Sequence, residues 1–184
     1  MKMNLPNWIT VFRMVMVPVF IALMLVGQPL WALVVFAVAS ASDKLDGYLA
    51  RKNNQVTNFG KFMDPLADKL LVMSAFLLFA VGGQMHVVAT FLILAREFVI
   101  TSLRVLAIQA GVVMAAGVSG KIKTAVQMTS ICVILLLLWV GESLIGAAAA
   151  ETVITVLCWL MVAVTLWSGA DYLWRSRSLF SENK

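Results

Sequence analysis

Six long apolar runs follow one another along the chain, at about residues 13–28, 30–51, 59–82, 86–110, 120–141 and 150–174, with only short polar links between them. A helix needs about 20 predominantly apolar residues to cross the hydrocarbon core of a bilayer, and each run supplies roughly that length. The pattern predicts an all-α integral membrane protein with six transmembrane helices, and short loops leave no room for a second globular domain in residues 1–184. Composition agrees: 62% of the residues are hydrophobic and 12% are charged, against about 25% charged in soluble domains. The runs are too many and too long to be one secretory leader. Residues 4–12 read as a short amphipathic segment entering the first span, with Trp8 and Phe12 at the interface.

The links alternate in charge. Lys2 and Arg13 lie at the N-terminus, Arg51, Lys52 and Lys61 around the second link, Lys121 and Lys123 before the fifth span, and Arg175, Arg177 and Lys184 at the C-terminus. The intervening links, near Gln28, at 82–86 and at 141–151, carry no Lys or Arg. Basic residues mark the cytoplasmic side, so both termini and the 51–60 link are expected to face the cytoplasm. The formal net charge of +5 sits beside membrane segments, which favours anionic lipid headgroups and phosphorylated substrates over nucleic acid. Cys132 and Cys158 lie inside apolar runs without metal-ligand spacing and read as small buried hydrophobes; His86, the single histidine, has no metal-binding company.

Four aspartates interrupt this apolar chain in one stretch. Asp43 and Asp46 are three residues apart, and Asp64 and Asp68 are four apart. On helices, each spacing puts a pair on one face with Cβ atoms about 5–6 Å apart. Two such helices packed antiparallel would bring four carboxylates together. Their mutual repulsion calls for a cation, and hard divalent ions with oxygen ligands, Mg²⁺ or Mn²⁺, fit best. A lone aspartate could equally be a solvated helix end; the constellation is harder to explain that way.

The spacing D-x2-D-G-x2-A-R-x8-G-x3-D-x3-D, formed by Asp43, Asp46, Gly47, Ala50, Arg51, Gly60, Asp64 and Asp68, resembles the signature of the CDP-alcohol phosphotransferase family. The resemblance implies one catalytic membrane domain over residues 1–184, a two-metal site, a homodimer, and a reaction in which an alcohol attacks the phosphoryl group of a CDP-linked lipid and CMP leaves. It assigns Asp43, Asp46 and Asp64 as metal ligands and Asp68 as ligand and general base. Gly47, Ala50 and Gly60 would form the cytidine pocket, and Arg51 would reach the diphosphate with its planar fork. Taken singly, the glycines could serve helix packing and Arg51 could be a membrane-edge anchor.

Arg96 lies in the middle of the fourth run beside Glu97, with Arg104 two turns later. An internal ion pair would account for Arg96 and Glu97. Two arginines facing one cavity suit a phosphate dianion better. Lys121 and Lys123 are either cytoplasmic anchors or the completion of a basic pocket that holds the phosphate of the acceptor. The segments N-L-P-N-W-I-T-V-F-R and R-E-F-V-I-T-S-L-R resemble one bacterial branch of the family. That likeness implies CDP-diacylglycerol as donor, sn-glycerol 3-phosphate as acceptor, a place in the bacterial cytoplasmic membrane with the site facing the cytoplasm, and Asn7, Thr10 and Arg13 near the donor headgroup. The alternatives are a sister enzyme with another acceptor such as inositol phosphate, a divalent-cation transporter, which would be expected to have broken mid-membrane helices or internal repeats, and a structural membrane subunit. Asp171 is expected to pair with Arg175 on its own helix. Residues from about Gln127 onward carry no motif.

Overall fold

The computed structural model describes residues 5–52, 58–109 and 117–177, with the backbone path alone at residues 5–7, 43–52, 58–62, 64, 65 and 68. It contains six helices: α1 (Leu5–Leu25), α2 (Pro29–Lys52), α3 (Asn58–Val81), α4 (Val87–Gln109), α5 (Val118–Ile145) and α6 (Ala147–Arg175). No strand occurs among the described residues. A helix satisfies its own backbone groups, which is what a lipid surround demands.

The helices run up and down. At one end, α1 and α2, α3 and α4, and α5 and α6 are joined by tight turns, each holding a glycine with positive φ: Gly27 (71°), Gly83 (79°) and Gly146 (83°). His86 caps α4, its Nδ1 accepting the Val88 N–H at 3.2 Å. The starts of α1, α3 and α5 and the ends of α2, α4 and α6 lie at the opposite end.

One core cluster draws on every helix, from Phe20 of α1 and Phe36 of α2, whose rings lie 5.8 Å apart, to Ile93, Ile134 and Met161. In lipid, packing rather than water exclusion holds helices together. Buried Ala32, Ala39, Ala75 and Ala89, each at most 1% exposed, allow that close approach. The outward surface is apolar as well, with Trp31, Leu77, Phe91 and Trp167 more than half exposed, as a lipid-facing surface requires. Trp8, Trp139 and Trp174, the expected interfacial belt, are also exposed, and the Arg177 guanidinium stacks 4.7 Å from the Trp174 ring centre.

Among the described residues, three helices are long and apolar enough to cross a membrane: α1 from Trp8, α5 and α6. Shorter apolar stretches, Pro29–Ser42 and Lys69–Val81, lie within α2 and α3, while α4 has the length but carries Arg96, Glu97 and Arg104. The chain is an all-α membrane protein.

Two boundaries differ from expectation. The N-terminal amphipathic segment is no separate element but the first turns of α1. Pro6 falls in the first turn, where a missing N–H costs nothing and the fixed φ favours the helix. The 141–151 loop shrinks to Gly146, because α5 continues through Glu142 and Ser143 to Ile145 and the alanines 147–150 open α6 at once. Single cysteines replacing Ser143 and Arg177, in a chain with Cys132 and Cys158 changed to Ala, are expected to react with an impermeant maleimide from opposite sides of a sealed vesicle. Labelling from the same side would remove the up-and-down order of α6.

Candidate active site

The up-and-down order gathers the start of α1, the end of α2, the start of α3, the second half of α4, the start of α5 and the end of α6 at one polar end. Asp43 and Asp46 lie within α2, and Asp64 and Asp68 within α3. The link between these helices spans only residues 53–57, and α2 and α3 touch. Both pairs therefore belong to the same end of neighbouring helices. The side chains of Asp43, Asp46, Gly47, Ala50, Arg51, Gly60, Asp64 and Asp68, and of Asn7, lie outside the described residues. Among the described residues no group of three His, Cys, Asp or Glu comes together. The four aspartates, with hard oxygen donors one turn apart on adjacent helices, suit a divalent cation.

Thr10 and Arg13 are buried on α1, at 1% and 3% exposure. An apolar groove of about 230 Å³, lined by Trp8, Ile9, Phe12 and Ser42, opens next to the residue preceding Asp43.

Next to Asp68 in sequence stands Lys69. Its Nζ crosses to α4 and donates to Thr101 Oγ1, and the Thr101 hydroxyl donates to the Glu97 carbonyl at 2.6 Å. One turn earlier on α4, Arg96 Nη1 donates to Glu97 Oε1 at 3.3 Å, and Arg96 Nη2 donates to Ser168 Oγ of α6 at 2.8 Å. Lys123 of α5 pairs with the same Glu97 oxygen. The three charged side chains are largely buried, at 11% exposure for Arg96, 16% for Glu97 and 9% for Lys123. Lys69 stands in the field of Glu97, Arg104 and Arg96, and Lys123 in that of Glu97, Arg96 and Lys69. Among the described residues, Arg96 and Lys123 thus pair with one carboxylate and Lys69 stands nearby, an excess of positive charge that is costly in a membrane helix unless an anion joins it.

The structure thus joins Arg96 to Lys123 through Glu97. Arg104 and Lys121 are exposed. Closer to the helix ends, Asp171 accepts from Arg175 Nε at 2.9 Å, the expected pairing on α6, and also from the Ser119 hydroxyl of α5. Deeper in the bundle, Gln127 Nε2 donates to Thr165 Oγ1 at 3.0 Å. Lys69, Thr101, Ser119 and Ser168 were not singled out by sequence. Only Lys69 carried a usable signal, as a cation directly after an aspartate at the head of an apolar stretch. Among the described residues no helix is broken at mid-span, so the feature expected of a transporter is lacking there.

Residues 3–167 match a family model described as CDP-alcohol phosphatidyltransferase. The CDP-diacylglycerol–glycerol-3-phosphate 3-phosphatidyltransferase of Bacillus subtilis (strain 168) is 38% identical, the match covering 92% of this chain and 93% of the relative. Relatives of the same name in Yersinia enterocolitica serotype O:8 / biotype 1B and Rickettsia typhi (strain Wilmington) are 37% and 33% identical. They cover 94% and 96% of this chain, and 94% and 99% of their own lengths.

Proposed function

The chain belongs to the CDP-alcohol phosphatidyltransferase family, and we propose that it transfers the phosphatidyl group of CDP-diacylglycerol to the primary hydroxyl of sn-glycerol 3-phosphate. The bond between the phosphatidyl phosphorus and the bridging oxygen of CMP breaks, and a bond from that phosphorus to the acceptor oxygen forms. The observation that carries the acceptor assignment is the cluster of the largely buried Arg96 and Lys123 and the half-buried Lys69 around Glu97, the one carboxylate placed there among the described residues. An uncharged acceptor would leave that charge excess unanswered; a phosphate dianion answers it and is bound best by arginine forks. The names of the relatives support the same donor and acceptor.

In this reading Asp43, Asp46, Asp64 and Asp68 hold Mg²⁺ or Mn²⁺. When bound, such ions polarise the phosphoryl oxygens and offset the charge on the leaving CMP. Asp68 takes the proton of the attacking hydroxyl. Gly47, Ala50 and Gly60 leave room for the cytidine, and Arg51 holds the diphosphate. Asn7, Thr10 and Arg13 flank the donor headgroup, and the groove of Trp8, Ile9 and Phe12 adjoins its acyl chains. Arg96, Arg104, Lys69, Lys121 and Lys123 hold the acceptor phosphate beside the base. The site faces the cytoplasm from the bacterial cytoplasmic membrane, a placement supported by the Lys and Arg residues at that end of the chain.

The test is CMP release by the purified protein with CDP-diacylglycerol, Mg²⁺ or Mn²⁺, and separate acceptors: glycerol 3-phosphate, inositol phosphate, glycerol and serine. Glycerol 3-phosphate is expected to dominate; glycerol or serine used equally well would overturn the basic-pocket reading. Arg104→Ala is expected to lower kcat/KM for glycerol 3-phosphate by about tenfold to a hundredfold, the worth of a charge-assisted bond to phosphate, with little change in KM for CDP-diacylglycerol. Equal losses for both substrates would make Arg104 structural.

A further inference from the structure

The geometry points to Ser168 and Gly169 of α6 as the positioning residues that aim Arg96 at the phosphate of the acceptor. This rests on the reading of Arg96 as an acceptor contact. An arginine side chain has several rotatable bonds, and its fork recognises phosphate only when its plane is set beforehand. Two contacts set that plane here. Ser168 Oγ accepts from Nη2 at 2.8 Å, and Glu97 Oε1 accepts from Nη1 at 3.3 Å.

The third donor is left over. Arg96 Nε is buried and has no hydrogen-bond partner among the described residues. A buried donor without a partner is disfavoured in a native structure and calls for an explanation. An incoming phosphate oxygen supplies one. Each Nη also carries two hydrogens, so the guanidinium keeps further donors after bonding Ser168 and Glu97.

Gly169 explains why the side chain can lie where it does. A Cβ at that position would stand 3.0 Å from Arg96 Cγ, 3.5 Å from Nε and 3.9 Å from Cδ. The stem of Arg96 therefore runs over the bare backbone of α6, and a methyl group there would be tight against Cγ and make the stem shift. Alanine is the better helix former, so helix propensity does not account for a glycine in the interior of α6; the close approach of Arg96 does. The two adjacent residues divide the task, one fixing the tip and the other giving space to the stem. Both lie in the last third of the chain, where the sequence offers no motif.

The experiment measures KM for glycerol 3-phosphate and for CDP-diacylglycerol separately, by CMP release from the purified full chain with metal, for Ser168→Ala, Ser168→Thr, Gly169→Ala and Arg96→Ala, and for each α6 substitution combined with Arg96→Ala. Ser168→Ala and Gly169→Ala are expected to raise KM for glycerol 3-phosphate about fivefold or more while leaving KM for the donor unchanged. Ser168→Thr, which keeps the hydroxyl, is expected to restore most of the loss. In the Arg96→Ala background neither α6 substitution should raise KM further, because residues acting through one side chain are not additive. Losses shared equally by both substrates, or losses that add to that of Arg96→Ala, would overturn the proposal in favour of simple packing. If Gly169→Ala does not fold, the Ser168 series decides alone. If Arg96→Ala leaves KM for glycerol 3-phosphate unchanged, the acceptor role of Arg96 falls and the proposal with it. If Arg96→Ala raises that KM but the α6 variants do not, only the positioning role falls.

Discussion

Replacing Asp43, Asp46 or Asp64 by asparagine is expected to lower CMP release by at least about a thousandfold, roughly 4 kcal/mol of transition-state stabilisation, the scale that bound metal contributes to a phosphoryl transfer. Asparagine keeps the shape of the side chain and its helix propensity is close to that of aspartate, so α2 and α3 should still form. What is lost is an anionic oxygen, and with it both affinity for the cation and part of the charge that holds it. Turnover measured across a metal titration, together with circular dichroism of the detergent-solubilised variants, checks this. Near-normal turnover in any one variant removes that residue from the ligand set. Asp68→Asn is expected to behave differently. If its main task is to take the proton of the acceptor, kcat should fall further than donor affinity, and excess metal should restore little.

The second large effect concerns stability. Glu97→Ala removes the one carboxylate shared by Arg96 and Lys123 and leaves two largely buried cations facing each other. Removing one partner from a buried ion pair costs about 3–5 kcal/mol, because the remaining charge is left uncompensated. In a chain of this size that corresponds to a fall in Tm of roughly 10 °C, readable by thermal unfolding in detergent. Pairing Glu97→Gln with Lys123→Met, which deletes the carboxylate and one cation together, should recover a good part of the loss. A Tm for Glu97→Ala equal to that of the unsubstituted chain would mean that the cations are solvated rather than paired.

The six helices were legible because six long apolar runs stand apart from their short polar links, although only three of the helices, among the described residues, are long and apolar enough to cross a membrane. Their ends were less legible. Glu142 and Ser143 look like loop residues, yet α5 runs through them, since a helix end needs backbone conformation more than polarity, and alanines 147–150 begin a helix readily. At the polar end, Asp43, Asp46, Asp64 and Asp68 stood out by spacing, and Arg96 and Glu97 by the cost of charge in an apolar helix. The link from Glu97 to Lys123 was not legible, because it depends on which face of α5 meets α4. Ser119, Ser168 and Gly169 were silent for the same reason. A serine or glycine in an apolar helix reads as packing until the neighbouring helix is known.

The turn at Gly146 has a consequence for motion. A single residue joins α5 to α6. Close packing sits beside it, where a Cβ on Gly141 would stand 3.0 Å from Ala150 Cβ. Gln127 and Thr165 pin the middle of the hairpin, and Ser119 and Asp171 pin its far end. Fastened at three levels, the two helices form one packed hairpin that carries both Lys123 and Ser168. Any widening of the polar end is therefore expected along the seams between this hairpin and α2 or α4. The hydrogen bond from Arg96 to Ser168 and the ion pair from Lys123 to Glu97 bridge the α4 seam and fasten this hairpin to α4.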